Sequence, residues 1–177
     1  MVSSLLVVTT IAGTGHASTK TVQHAAFAQQ AEQLGLTTAE AQSLQARVDS
    51  YVSKMGGTQV AINKISLDDR GSAILFPLPG EKKARDLSAS TALGNTCPYY
   101  YFCAYESEYY EGLEMEWSWC QDWAMPWFGY GSWVNNQTDG TQAQFKSNDG
   151  VTRWRDSGAF STDDSADWTW VHWVKPC

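Results

Sequence analysis

Cys97-Pro98-Tyr99-Tyr100-Tyr101-Phe102-Cys103-Ala104-Tyr105 is the stretch on which the reading of this chain turns. Two cysteines six residues apart enclose an aromatic run, and Tyr105, Tyr110 and Gly112 follow at short intervals. Alternating aromatic and polar residues between turn formers specify short β-strands rather than helices. From Cys97 to the C-terminus the pattern persists. Aromatic runs alternate with the turn pairs Glu111-Gly112, Asn135-Asn136, Asp139-Gly140 and Asp149-Gly150. Turns at this spacing predict a sandwich of antiparallel strands.

Composition changes abruptly upstream of Cys97. All nine Trp lie between Trp117 and Trp173, whereas only Phe27, Tyr51 and Phe76 supply aromatic rings before it. Residues 97–177 hold 12 Asp/Glu against 4 Lys/Arg, and residues 1–96 hold 7 against 8, within a net charge of -7. The acidic part repels phosphate backbones, so nucleic acid is not an expected partner. The small polar stretch 87–96 reads as a linker between a domain at 18–86 and one at 97–177.

The four cysteines, Cys97, Cys103, Cys120 and Cys177, all fall in the acidic part. An even number in an exported chain predicts disulfides, and the spacing is wrong for the paired knuckles of a zinc site. Several connectivities are open. Joining Cys97 to Cys103 closes a short loop, contributing roughly 2 kcal/mol, and joining Cys120 to Cys177 closes a long one, contributing roughly 4 kcal/mol. That pairing has the attraction of tying down the C-terminal residue. About 80 residues make a small core, for which such cross-links matter.

Export is expected from residues 1–17. Leu5-Leu6-Val7-Val8 opens a short apolar run, and Gly15-His16-Ala17 fits a small-x-small cleavage pattern. No Lys or Arg precedes the run, a departure from the usual signal peptide. The run is too short to span a bilayer. The expected location is therefore extracellular, with no membrane association after cleavage.

Between leader and linker the pattern is a small α+β segment. Residues 20–34 read as one helix ending at Gly35. A second begins at Thr37, where Thr37 and Glu40 make a capping-box pattern, and it ends at Gly56-Gly57. Ala41, Leu44, Val48, Tyr51, Val52 and Met55 recur at helical spacing and need a partner surface. Residues 58–67 and 72–78 read as a β-hairpin turning at Asp68-Asp69-Arg70-Gly71. Pro77 and Pro79 confine the second run to an edge or an end. The segment is either a removable pro-segment or a permanent small domain.

The C-terminal part resembles the secreted Streptomyces metalloproteinase inhibitor family, whose members open with C-P-x4-C and a tyrosine two residues on. The resemblance covers residues 95 to about 155. It implies an all-β, disulfide-stapled βγ-crystallin-like sandwich of Greek-key strands. Tyr105, Tyr110 and Gly112 fit the aromatic-x4-aromatic-x-Gly pattern of that fold, and Ser132 fits the serine of the strand that closes the first Greek key. The stretch 145–150 lacks the corresponding clean pattern. Phe128-Gly129-Tyr130 stands where calcium-binding members carry paired Asp or Asn, so no metal or other cofactor is expected.

The resemblance implies a peptidase inhibitor that presents a rigid loop to a protease cleft. The candidate loop lies beside Cys120 and carries Trp123, Met125, Trp127 and Phe128. It is apolar, as metalloproteases that cut before apolar residues prefer, although the same side chains could fill the core. Nine Trp in so short a span leave a second reading open, a glycan or cell-wall binding module or an antimicrobial, toxin-like crystallin. In that reading Trp168, Trp170 and Trp173 would stack on sugar rings beside carboxylates. Catalysis is not expected. Glu114 and Glu116 would share a strand face, but acidic residues near turns usually form solvated faces, and neither G-x-S-x-G nor H-E-x-x-H occurs. The partner is thus a secreted protease or a glycan, and the oligomeric state is left open.

Overall fold

The computed structural model describes residues 16–87 and 97–177. The expected leader, 1–17, lies outside the described residues as far as residue 15, and the expected linker does so from residue 88 to 96. Two helices come first, α1 (His16–Gln33) and α2 (Thr38–Met55). The capping box forms as the sequence predicts. Thr37 N donates to Glu40 Oε2 at 2.8 Å and Glu40 N donates to Thr37 Oγ1 at 3.3 Å. Two donors that a helix start would otherwise leave unpaired are thereby satisfied. Leu44 and Val48 of α2 are buried, whereas among residues 23–33 α1 buries only Phe27 and Ala31.

The predicted hairpin is a meander of three strands, β1 (Thr58–Ala61), β2 (Lys64–Ser66) and β3 (Ala73–Leu75). The extra turn falls at Ile62-Asn63, where no Gly, Pro or Asp signals one. The buried Asn63 side chain makes it possible. Its Nδ2 donates to Phe76 O at 3.0 Å and Arg85 O at 2.9 Å, tying the turn to the chain that passes beneath it. The predicted turn after β2 is held by Asp68 Oδ1, which accepts from Arg70 N and Ser72 N at 2.9 Å.

Eight strands follow: β4 (Tyr101–Ser107), β5 (Glu111–Trp117), β6 (Trp123–Ala124), β7 (Tyr130–Asn136), β8 (Gln144–Lys146), β9 (Thr152–Arg155), β10 (Thr162–Asp167) and β11 (Trp173–Lys175). The first sheet runs β1-β2-β3-β5-β4-β7-β10 and the second β6-β11-β8-β9, with antiparallel neighbours throughout. Rings join the two sheets. Phe102 and Trp133 of the first meet Phe145 of the second at 5.9 Å, and Trp117 stacks on Trp123 at 6.2 Å. The part after residue 97 is thus all-β, with its core between two layers.

The change in composition is not a break in the sheet. β3 pairs with β5, setting Ile74 opposite Met115 and Ala73 opposite Glu116. Gly112 N donates to Lys82 O at 2.7 Å, and Ser118 Oγ donates to Arg70 O at 2.7 Å. Ile65, Ile74 and Phe76 lie in the same apolar cluster as Phe102, Trp117 and Trp168. Side chains from both sides of the linker therefore leave water together.

Candidate functional site

Both disulfides form, Cys97–Cys103 and Cys120–Cys177, with Cα atoms 5.7 and 5.5 Å apart. Among the described residues no helix is long and apolar enough to cross a membrane.

The cysteine-rich opening leads into a folded hairpin at the β4–β5 connection. Tyr105 is buried, and its ring meets Tyr110 edge-on at 5.5 Å. Burial and then the neighbouring Glu114 carboxylate push the Tyr105 hydroxyl far up. Gly112 has φ of 80°, and a Cβ there would lie 3.0 Å from Ser107 Oγ and 3.1 Å from Glu106 Cβ. Ser132 Oγ, from β7, accepts from Tyr110 N at 2.8 Å and donates to Ser107 O at 2.7 Å. The structure thus brings Tyr105, Tyr110, Gly112 and Ser132 into one cluster. Gly131 fits beside it because it lacks a Cβ, which would collide with Trp168 Nε1 and the Tyr105 carbonyl.

The four candidate loop residues do not share one environment. Trp123, Met125 and Trp127 are 8%, 9% and 6% exposed and belong to the core, so they are anchors rather than contact residues. Phe128 is 68% exposed, the most of any large hydrophobic among the described residues, and Tyr130 beside it is 62% exposed. The sequence could not separate them, because an apolar run gives no period from which to assign a face.

The backbone around Phe128 is pinned from several sides. Met125 N donates to His172 O at 2.9 Å and Trp168 N donates to Gly129 O at 2.8 Å. Lys54 of α2 donates from Nζ to Pro126 O at 2.8 Å. Upstream, β6 pairs with β11, Trp123 Nε1 donates to Trp119 O at 3.0 Å, and Cys120 is bonded to Cys177. The result is an irregular segment, buried upstream of Phe128 and bent at Gly129 (φ 110°), with an apolar tip.

Several expected features change character. Glu114 and Glu116 do share β5 but form no solvated face; they are 0% and 7% exposed on a strand flanked by β3 and β4. Burial pushes the Glu116 carboxyl up to about 7 against the opposing pull of Lys64. Trp168, Trp170 and Trp173 form no exposed row. Trp168 follows the end of β10 and is fully buried, Trp170 is half-buried, and Trp173 is at the surface on β11. An opening that the sequence did not reveal lies elsewhere. It is a cleft of about 220 Å³ lined by Trp133, Phe145, Trp154, Trp170, Asp163 and Asp167 among others.

No family model matches the chain, and neither the curated proteins nor the solved structures give a match.

Proposed function

We propose that this protein is an extracellular inhibitor of metalloproteases, built on a crystallin-like sandwich, which offers the segment around Phe128 to the protease cleft. The observation that carries the reading is the pairing of the highly exposed Phe128 with a backbone fixed upstream by the buried Trp123, Met125 and Trp127 and downstream by the Trp168 N–Gly129 O hydrogen bond. A segment held fixed before docking loses little conformational freedom on binding, and that saving appears as affinity. The Tyr105, Tyr110, Gly112 and Ser132 cluster supports the crystallin-like reading.

The covalent layout adds a second argument. Cys120 precedes Phe128 and Cys177 follows it. If a protease cuts the Trp127–Phe128 bond, the two pieces stay joined through that disulfide. The new ends then remain within reach of each other, so cleavage does not release the inhibitor and the bond can re-form. A protease that cuts before apolar residues would take Phe128 just beyond the scissile bond.

The test is a titration of a thermolysin-like metalloprotease and a subtilisin-like serine protease with the oxidised full chain. Stoichiometric loss of metalloprotease activity is expected. Phe128→Ala should raise the inhibition constant roughly a hundredfold, as expected for a central apolar anchor, with unchanged near-ultraviolet circular dichroism. No inhibition of either enzyme at a large molar excess rejects the reading.

A further inference from the structure

We propose that the cleft where the outer edges of the two sheets meet binds a quaternary ammonium group, the trimethylammonium head of a choline-type ligand. β9 is the last strand of the second sheet and β10 the last of the first, so both expose an open edge here. Trp133 and Phe145 form the floor of the opening, Trp154 and Trp170 rise from it, and Asp163 and Asp167 supply its carboxylates.

Trp154 carries the argument furthest. It is 44% exposed, yet its ring centroid lies 4.8 Å from Phe145 and 5.9 Å from Trp133. Those rings hold it, so it needs no ordering to receive a ligand. The three planes are inclined, with Trp154 at 64° to Phe145 and 59° to Trp133.

The polar chemistry selects the same ligand. Asp163 Oδ1 accepts from Ser165 N at 3.0 Å. Asp167 Oδ1 accepts from Thr169 N at 2.9 Å and from Thr169 Oγ1 at 2.6 Å. Each turn employs one carboxylate oxygen and fixes the side chain. The bonds from the Thr169 hydroxyl and amide also hold the Asp167 carboxyl below its usual range. The charged groups of the lining therefore carry negative charge, and aromatic faces likewise attract cations. A primary ammonium keeps its tight hydration, whereas a methylated one presents apolar methyl groups to the rings.

The protein's own cations stand over other rings. Arg70 covers Trp119 at 3.4 Å, Arg47 covers Phe76 and Lys83 covers Tyr110. Among the described residues no Lys or Arg makes such a pair with Trp133, Trp154 or Trp170. β9 is bulged between Thr152 and Trp154. Alternation beyond the bulge directs Arg155 away from the face that bears Trp154, and Arg153 is held by Asp149 at 2.7 Å.

This site is separate from Phe128 and stands whether or not the chain inhibits a protease. The test is isothermal titration of the oxidised full chain with choline chloride at fixed ionic strength, with methyl glucoside and lysine amide as comparators. Saturable choline binding is expected, at least roughly tenfold tighter than either comparator. Asp167→Asn and Trp154→Ala should each weaken it by roughly tenfold or more, while Phe128→Ala leaves it unchanged. If Trp154→Ala fails to fold, the near-isosteric Asp163→Asn and Asp167→Asn variants carry the test. Choline heats no larger than those of sodium chloride overturn the proposal. So does preferential binding of the glucoside, or affinity unmoved by either Asp→Asn change.

Discussion

The first sheet is assembled from two unlike stretches of chain. β1, β2 and β3 are short and contain no aromatic residue, whereas β4, β5 and β7 are seven residues each and carry Tyr, Phe and Trp. Yet Ile65 and Ile74 on the aliphatic side are as completely buried as Phe102 and Trp117 on the aromatic side. The two regions differ in the kind of side chain they bring to the core, not in how much the core depends on them. The join between β3 and β5 is where that dependence can be tested.

The largest effect should come from removing the aliphatic side altogether. A chain beginning at residue 97 loses Ile65, Ile74, Phe76 and the β3 ladder, at about 2–5 kcal/mol for each large buried side chain. Together these approach the whole stability of an ordinary domain, about 5–15 kcal/mol. The oxidised fragment is expected to lack the near-ultraviolet circular dichroism of the full chain. A fragment with full signal and cooperative melting would show that the aromatic side stands alone.

Next in size is the clamp. Replacing Cys120 and Cys177 together by Ser should cost roughly 4 kcal/mol in urea unfolding, about twice the effect expected for Cys97 and Cys103. The difference arises because the first pair closes a separation of 57 residues and the second one of 6. Equal losses would mean that strain or residual structure outweighs loop closure.

A smaller effect belongs to the join itself. Glu116 lies opposite Ala73, with Lys64 and Asp86 as its charged neighbours from the aliphatic side. Its folded pKa of about 7 lies above the ordinary 4.5. The folded state therefore holds the proton more tightly than the unfolded chain does. The stability this lends is complete below about pH 4.5 and is lost as pH rises through 7. Glu116→Gln should match the parent at pH 4 and exceed it at pH 8, by up to about 3 kcal/mol, in urea titrations at the two values. An equal gap at both would remove the burial argument.

Much of this architecture was legible in local signals. Thr37 and Glu40 announce a helix start, Asp68 through Gly71 a turn, and Cys97, Tyr105, Tyr110 and Gly112 a folded hairpin, because each pattern acts within a few residues. Two things were not. The β3–β5 pairing joins segments about forty residues apart, and nothing in Ala73-Ile74-Leu75 names its partner strand. The sorting of the candidate loop was equally hidden, since Trp127 and Phe128 are adjacent apolar residues that end on opposite sides of the surface. Trp154 carries no sequence signal of its own, and its place on an edge strand leaves it 44% exposed.

The claim that a clamped Phe128 segment is what a protease meets has a direct measurement. The oxidised full chain is incubated with a catalytic amount of a thermolysin-like protease, and the products are mapped by mass spectrometry before and after reduction. One slow cut is expected, at Trp127–Phe128, with the fragments separating only when Cys120–Cys177 is reduced. Rapid cutting at many bonds, or a first cut elsewhere, would contradict it.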